Sequence, residues 1–203
     1  MQHFIEAYNE AANVAACDKI IEYFEGLKHL HSKGCFAKDG QAIVNPSVKD
    51  STDIALDLTE DNICSEILVS VINYCTEQYR EKYSSVDRIS NWACDPKYNI
   101  QRYYPNQGYH GVHCEDSSPL TNRVMGWSFY LNTITDGGGT VFDEYDLEIK
   151  AEAGKFVIFP AYWTHTHYGI PSPTQTKYIC TGWYTYVDDF PAVEDTAFVN
   201  SSW

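Results

Sequence analysis

The chain has 203 residues, of which 44% are hydrophobic, 15% aromatic and 21% charged. That balance excludes a disordered chain and fits one domain with a real core. The formal charge is −14, spread over both halves with no basic stripe. Tight binding to a nucleic-acid backbone or an anionic membrane is therefore not expected.

No apolar window is long enough for a spanning helix, and the start, Met1-Gln2-His3-Phe4-Ile5-Glu6, does not read as a signal peptide. The cysteines, at 17, 35, 64, 75, 94, 114 and 180, form no C-x-x-C pair. A zinc knuckle is not indicated, and a reducing cytoplasmic setting is the expectation.

In chain order the pattern predicts helices first and strands second. Cys17, Ile20, Ile21, Phe24, Leu27 and Leu30 recur at helical spacing, with Gly34 as the stop. Residues 35–58 read as irregular, and Ser51-Thr52-Asp53 as a connection or a lid. Thr59 is the expected cap of a second helix, with Ile63, Ile67, Leu68, Val71, Ile72 and Cys75 as its buried stripe. Strands are predicted at 98–104, 124–131, 139–142, 146–150, 155–160 and 177–187, separated by glycine-bearing turns. The expected fold is mainly β, an antiparallel sandwich or barrel covered on one face by N-terminal helices. We expect a single domain: 1–97 as helical buttress and loops, 98–187 as the core, 188–203 as an acidic tail.

Three features of the β-rich half carry chemistry. In His113-Cys114-Glu115, a strand would turn the His and Glu to one face. In Trp163-Thr164-His165-Thr166-His167, the same alternation would put both histidines on one face. Lys177 stands ten residues after His167, at the start of an apolar strand. Two imidazoles and one carboxylate make a facial triad that suits non-haem Fe(II), with positions left for a bidentate keto acid and oxygen. The remote carboxylate of such an acid needs a fixed cation, which Lys177 can supply.

Residues 98–187 resemble the 2-oxoglutarate- and Fe(II)-dependent dioxygenases, in particular the prolyl 4-hydroxylase-like branch. The blocks are Tyr104-Pro105-Asn106-Gln107-Gly108 before His113-Cys114-Glu115, then Tyr130-Leu131-Asn132 before Gly138-Gly139-Thr140-Val141-Phe142, then Gly154 to Pro160 ahead of the distal histidine. The resemblance implies a double-stranded β-helix, a jelly-roll and cupin relative. It implies iron held by His113, Glu115 and His167, with His167 favoured over His165 because Lys177 then falls at the family spacing. Lys177 would pair with the C5 carboxylate of 2-oxoglutarate, and Tyr104 and Tyr130 would donate to that cosubstrate. Trp183 would line the substrate entrance. Arg123, which would bind a substrate acid or pair with an acidic neighbour, and His110 are further pocket candidates. Glu115 stands where prolyl hydroxylases more often have Asp, Tyr168 where relatives often have Arg, and Gly139 where many have Glu.

The activity this implies is hydroxylation of an unactivated C–H, with 2-oxoglutarate decarboxylated to succinate and ascorbate as a possible reductant. The substrate would be a prolyl residue of a peptide or protein, or else a small metabolite. Oligomeric state is left open. Two other readings are a non-catalytic cupin-like module that holds a metal or ligand, and a structural β-sandwich.

Overall fold

A computed structural model describes residues 2–38, 40–88, 90–116 and 122–187. The expected acidic tail at 188–203 lies outside them. In chain order the elements are β1 (Glu6–Tyr8), α1 (Val14–Gly26), β2 (Ser32–Lys33), β3 (Phe36–Lys38), β4 (Gln41–Ile43), β5 (Thr52–Asp57) and α2 (Ile63–Lys82). There follow β6 (Trp92–Tyr103), β7 (Arg123–Tyr130), β8 (Thr140–Phe142), β9 (Leu147–Ile149), β10 (Phe156–Pro160), β11 (His167–Gly169) and β12 (Lys177–Tyr186).

α1 starts where Asn13 accepts from the Ala16 N–H at 2.9 Å, and it buries Cys17, Ile20 and Phe24. It ends at Gly26, earlier than the predicted stripe, because residues 28–30 tighten into a 3₁₀ turn that leaves Leu30 exposed. α2 is capped by Asn62, whose side chain accepts from the Cys64 and Ser65 N–H groups. The expected cap, Thr59, instead donates its hydroxyl to Asp57 at 2.7 Å. No helix of the described residues is long and apolar enough to cross a membrane.

Seven strands form one antiparallel sheet in the order β1-β10-β7-β12-β6-β5-β2. A second sheet runs β11-β8-β9, and β3 and β4 form a separate hairpin. Both helices cover one face of the large sheet, where Ile20, Phe24, Leu68 and Ile72 meet Ile54, Tyr98, Trp127, Phe129 and Cys180. On the opposite face, Tyr103, Tyr130, Val157, Phe159 and Ile179 pack with Phe142 and Ile149 of the small sheet. This is the double-stranded β-helix that the sequence led us to expect.

Residues 35–58 depart from expectation. They hold the β3–β4 hairpin and β5, which pairs with β6 from Thr52↔Arg102 to Asp57↔Lys97. Ser51-Thr52-Asp53 is accordingly neither lid nor connection but the entry to a sheet strand. Ile54 and Leu56 face the helices while Asp53 faces the cavity, a period-2 pattern that its charged residue disguised.

Candidate metal and cosubstrate site

A cavity of about 580 Å³ opens between the two sheets under the β3–β4 hairpin. Its floor is set by strand parity. Lys177, Ile179, Thr181 and Trp183 project into it from β12, the central strand, and Asn99, Gln101 and Tyr103 from neighbouring β6. The intervening Tyr178, Cys180 and Tyr184 pack on the helix side.

At one end His113, Glu115 and His167 bring one ligand atom each to within 4.8 Å of one another. His167 Nε2 lies 3.3 Å and His113 Nε2 3.9 Å from Glu115 Oε1. His113 Nδ1 is 2.9 Å from the Gly111 carbonyl and His167 Nδ1 is 3.0 Å from the His165 carbonyl. A carbonyl only accepts, so each Nδ1 carries the proton and each Nε2 presents a lone pair. Ligand imidazoles are commonly oriented in this way.

The backbone fixes the same pair, because residues 113 and 167 form an isolated antiparallel bridge. Tyr109 stacks on the His113 ring at 3.7 Å and 9°. Burial, with His167 alongside, pushes the His113 imidazole down to about 4. Burial alone would raise the Glu115 carboxyl; the His167 and His113 imidazoles, whenever they carry a second proton, and the Trp183 indole N–H outweigh it and hold the carboxyl below the usual range.

His165 has a different setting. Residues 163–165 form a 3₁₀ turn rather than a strand, so the expected shared face does not exist. Its Nε2 is 2.7 Å from the His3 carbonyl and its Nδ1 2.9 Å from Thr164 Oγ1, so both ring nitrogens are engaged away from the cluster.

Lys177 lies deeper in the same cavity, 5% exposed, with Nζ donating to the Gly138 carbonyl at 2.9 Å and 4.8 Å from the Tyr103 ring centroid. No carboxylate among the described residues pairs with it, and burial lowers its ammonium to about 8. Thr140 lines the wall beside it and shares a 2.7 Å hydrogen bond with the buried Tyr130 hydroxyl. Tyr130 therefore stands behind the wall.

Tyr104 and His110 are exposed and do not line the cavity. Tyr104 lies instead against Arg102, whose Cζ is 4.4 Å from its ring centroid. Its neighbour Tyr103 takes the cavity position and is the register partner of Lys177. Trp183 and Arg123 do line the cavity, stacked with Arg123 Cζ 3.7 Å from the Trp183 ring centroid. Sequence reasoning did not single out Tyr103, Tyr109 or Thr140 as site residues, nor the buried Lys49–Asp53 ion pair at 2.6 Å on the cavity wall.

The donor set fits a divalent first-row metal of the Fe(II) kind. Residues 98–185 match the model of the 2OG-Fe(II) oxygenase superfamily. No curated protein matches the sequence. Among solved structures, a prolyl hydroxylase from Trichoplax adhaerens, bound to a hypoxia inducible factor peptide fragment, aligns with TM-score 0.69 and 15% identity over 91% of this chain and 84% of that one. A prolyl-4-hydroxylase from Pseudomonas putida aligns with TM-score 0.67 and 13% identity, over 92% and 95%. The viral collagen prolyl hydroxylase of Paramecium Bursaria Chlorella virus-1 aligns with TM-score 0.60 and 18% identity, over 91% and 97%. At these identities the structural likenesses speak for the fold, and the family model speaks for the oxygenase. Residues 98–185 thus match the 2OG-Fe(II) oxygenase superfamily, within a fold that the chain shares with prolyl hydroxylases.

Proposed function

We propose that the protein hydroxylates a prolyl residue of a peptide or protein, with iron held by His113, Glu115 and His167 and 2-oxoglutarate anchored by Lys177. The observation that carries the cosubstrate assignment is a buried ammonium without a carboxylate, in the same cavity as a His–Glu–His cluster. A buried, unpaired cation is costly and is best accounted for by an anion that arrives with the ligand. The metal and 2-oxoglutarate supply the oxidising chemistry when bound.

The chain's own residues bind, orient and exclude water. Lys177 receives the far carboxylate, with the Tyr103 ring 4.8 Å from its Nζ and Thr140 on the cavity wall. Tyr130 holds Thr140 in place. Phe142 and Phe159 pack against the His167 ring and shield that side of the cluster. Arg123 and Trp183 border the metal end. The β3–β4 hairpin supplies Phe36, Ala37, Gln41 and Ala42 to the opposite wall, leaving a cavity larger than 2-oxoglutarate needs. Structural likeness to prolyl hydroxylases, one of them bound to a peptide, favours a peptide there over a small metabolite.

The test is anaerobic first. Fe(II) followed by 2-oxoglutarate should give the visible charge-transfer band of the chelated pair. With oxygen, and ascorbate as reductant, proline-containing peptides should gain one oxygen atom in step with succinate release. A band and succinate without any modified prolyl peptide, but with a modified small metabolite, would overturn the prolyl assignment. A protein that binds Fe(II) without a band would overturn the cosubstrate assignment.

A further inference from the structure

Glu115 reaches the cluster over two residues that are register partners on adjacent strands, Gly126 of β7 and Trp183 of β12. A Cβ at Gly126 would sit 3.0 Å from Glu115 Cγ and 2.8 Å from two carbons of the Phe159 ring. The extra methylene that separates glutamate from aspartate thus runs over space that only a glycine leaves open. On the other side the Trp183 Nε1–H donates to Glu115 Oε2 at 2.6 Å. Arg123 stacks on the Trp183 ring and donates from Nη1 to the Glu115 carbonyl at 2.9 Å, with the same nitrogen 3.7 Å from Oε2. The two carboxylate oxygens are therefore divided: Oε1 faces the histidines and Oε2 faces the indole.

A glutamate has one more rotatable bond than an aspartate, so a metal-binding glutamate needs an added restraint to hold one oxygen in place. An indole suits that task because it only donates; it cannot accept or ligate. Hydrogen bonds to a carboxylate are short and roughly twice as strong as neutral ones.

We propose that Trp183 is a positioning residue for Glu115: its N–H pins Oε2, Gly126 gives the longer arm its path, and Arg123 clamps the indole. The acid then presents Oε1 alone to the metal. This rests on reading His113, Glu115 and His167 as the metal ligands.

The test is a Co(II) titration of the full chain without 2-oxoglutarate, followed by visible absorption. Trp183→Phe keeps an aromatic face for Arg123 and removes the N–H together with one of the two fused rings. It should weaken Co(II) binding about 10- to 100-fold, the range found for partners of metal ligands. Glu115→Asp withdraws the arm, and in that background the same Trp183→Phe change should alter affinity by less than about threefold. Unchanged affinity in the single variant, or an equal loss in both backgrounds, would overturn the proposal. A wild type that takes up no Co(II) would instead overturn the metal-site reading. If the Asp variant binds too weakly to titrate, the ¹⁵N indole resonance that Trp183→Phe deletes should shift when Zn(II) is added to wild type. A resonance unmoved at saturating Zn(II) would also overturn the proposal.

Discussion

His113 and His167 exchange both backbone hydrogen bonds, His113 N–H to His167 O at 3.0 Å and His167 N–H to His113 O at 2.8 Å. Each ring also sends its Nδ1 to the carbonyl two residues before it. Two segments far apart in sequence are thus locked by the main chain, and the direction of both Nε2 atoms follows.

That lock separates the two distal histidines. His167→Ala should weaken Co(II) or Fe(II) binding by more than about 100-fold, beyond what loss of a ligand's partner costs. His165→Ala should leave metal stoichiometry at wild-type level and cost about 1 kcal/mol of stability through the lost hydrogen bond to His3. Metal titration and thermal unfolding of both variants check this.

Lys177 predicts a pH dependence. Burial lowers it from 10.5 to about 8, so between those values the unfolded chain binds more protons than the folded one. Stability of the ligand-free protein should therefore rise with pH across that window, while below pH 8 the burial cost is felt in full. Only the ammonium attracts a carboxylate, so 2-oxoglutarate affinity should fall about tenfold per pH unit above that pKa. Lys177→Met should abolish binding and raise the melting temperature of the ligand-free protein by several degrees. Calorimetric titration and melting at pH 7, 8 and 9 read both.

Strand parity predicts opposite behaviour for adjacent tyrosines. Tyr103→Phe removes the hydroxyl that donates to Gln101 Oε1 at 2.8 Å in the cavity wall, and should weaken 2-oxoglutarate binding about 5- to 10-fold, the worth of one hydrogen bond. Tyr104→Phe should leave it within about twofold, because that side chain lies outside the cavity against Arg102. Equal losses would place the cosubstrate elsewhere.

The Lys49–Asp53 pair predicts non-additive stability. Its Nζ–Oδ2 distance is 2.6 Å and both side chains are at most 10% exposed. Asp53→Leu alone strands a buried ammonium and should cost about 3–5 kcal/mol, whereas Lys49→Met with Asp53→Leu should recover most of that. Denaturant unfolding of the two singles and the double measures the coupling.

Gly182 of β12 lies directly against a buried indole on the helix side. A Cβ there would meet three atoms of the buried Trp127 indole at 2.4–2.8 Å. Gly182→Ala should therefore cost about 1–3 kcal/mol, visible as a lower denaturation midpoint.

Much of this was legible in the sequence, because much of it is local. Alternating apolar residues and glycine turns marked five strands of the core close to their observed bounds and the second half of β6, which starts at Trp92 rather than at 98, and 3–4 spacing marked both helices. The residue types and spacing of His113, Glu115, His167 and Lys177 pointed to a metal and an anion before any geometry was known. What the tertiary structure decided is long-range. β5 became a strand because β6 offered it an edge, and a charged residue in its pattern had hidden it. Tyr103 rather than Tyr104 entered the cavity because the β6–β12 register pairs it with Lys177, and a one-residue slip would have reversed the two. His165 left the cluster because a 3₁₀ turn broke the alternation. Glu115 met Trp183 and Gly126 because sheet pairing set those two side by side. Local spacing fixes which way a side chain leans within its own strand; only the pairing of distant strands fixes what it finds there.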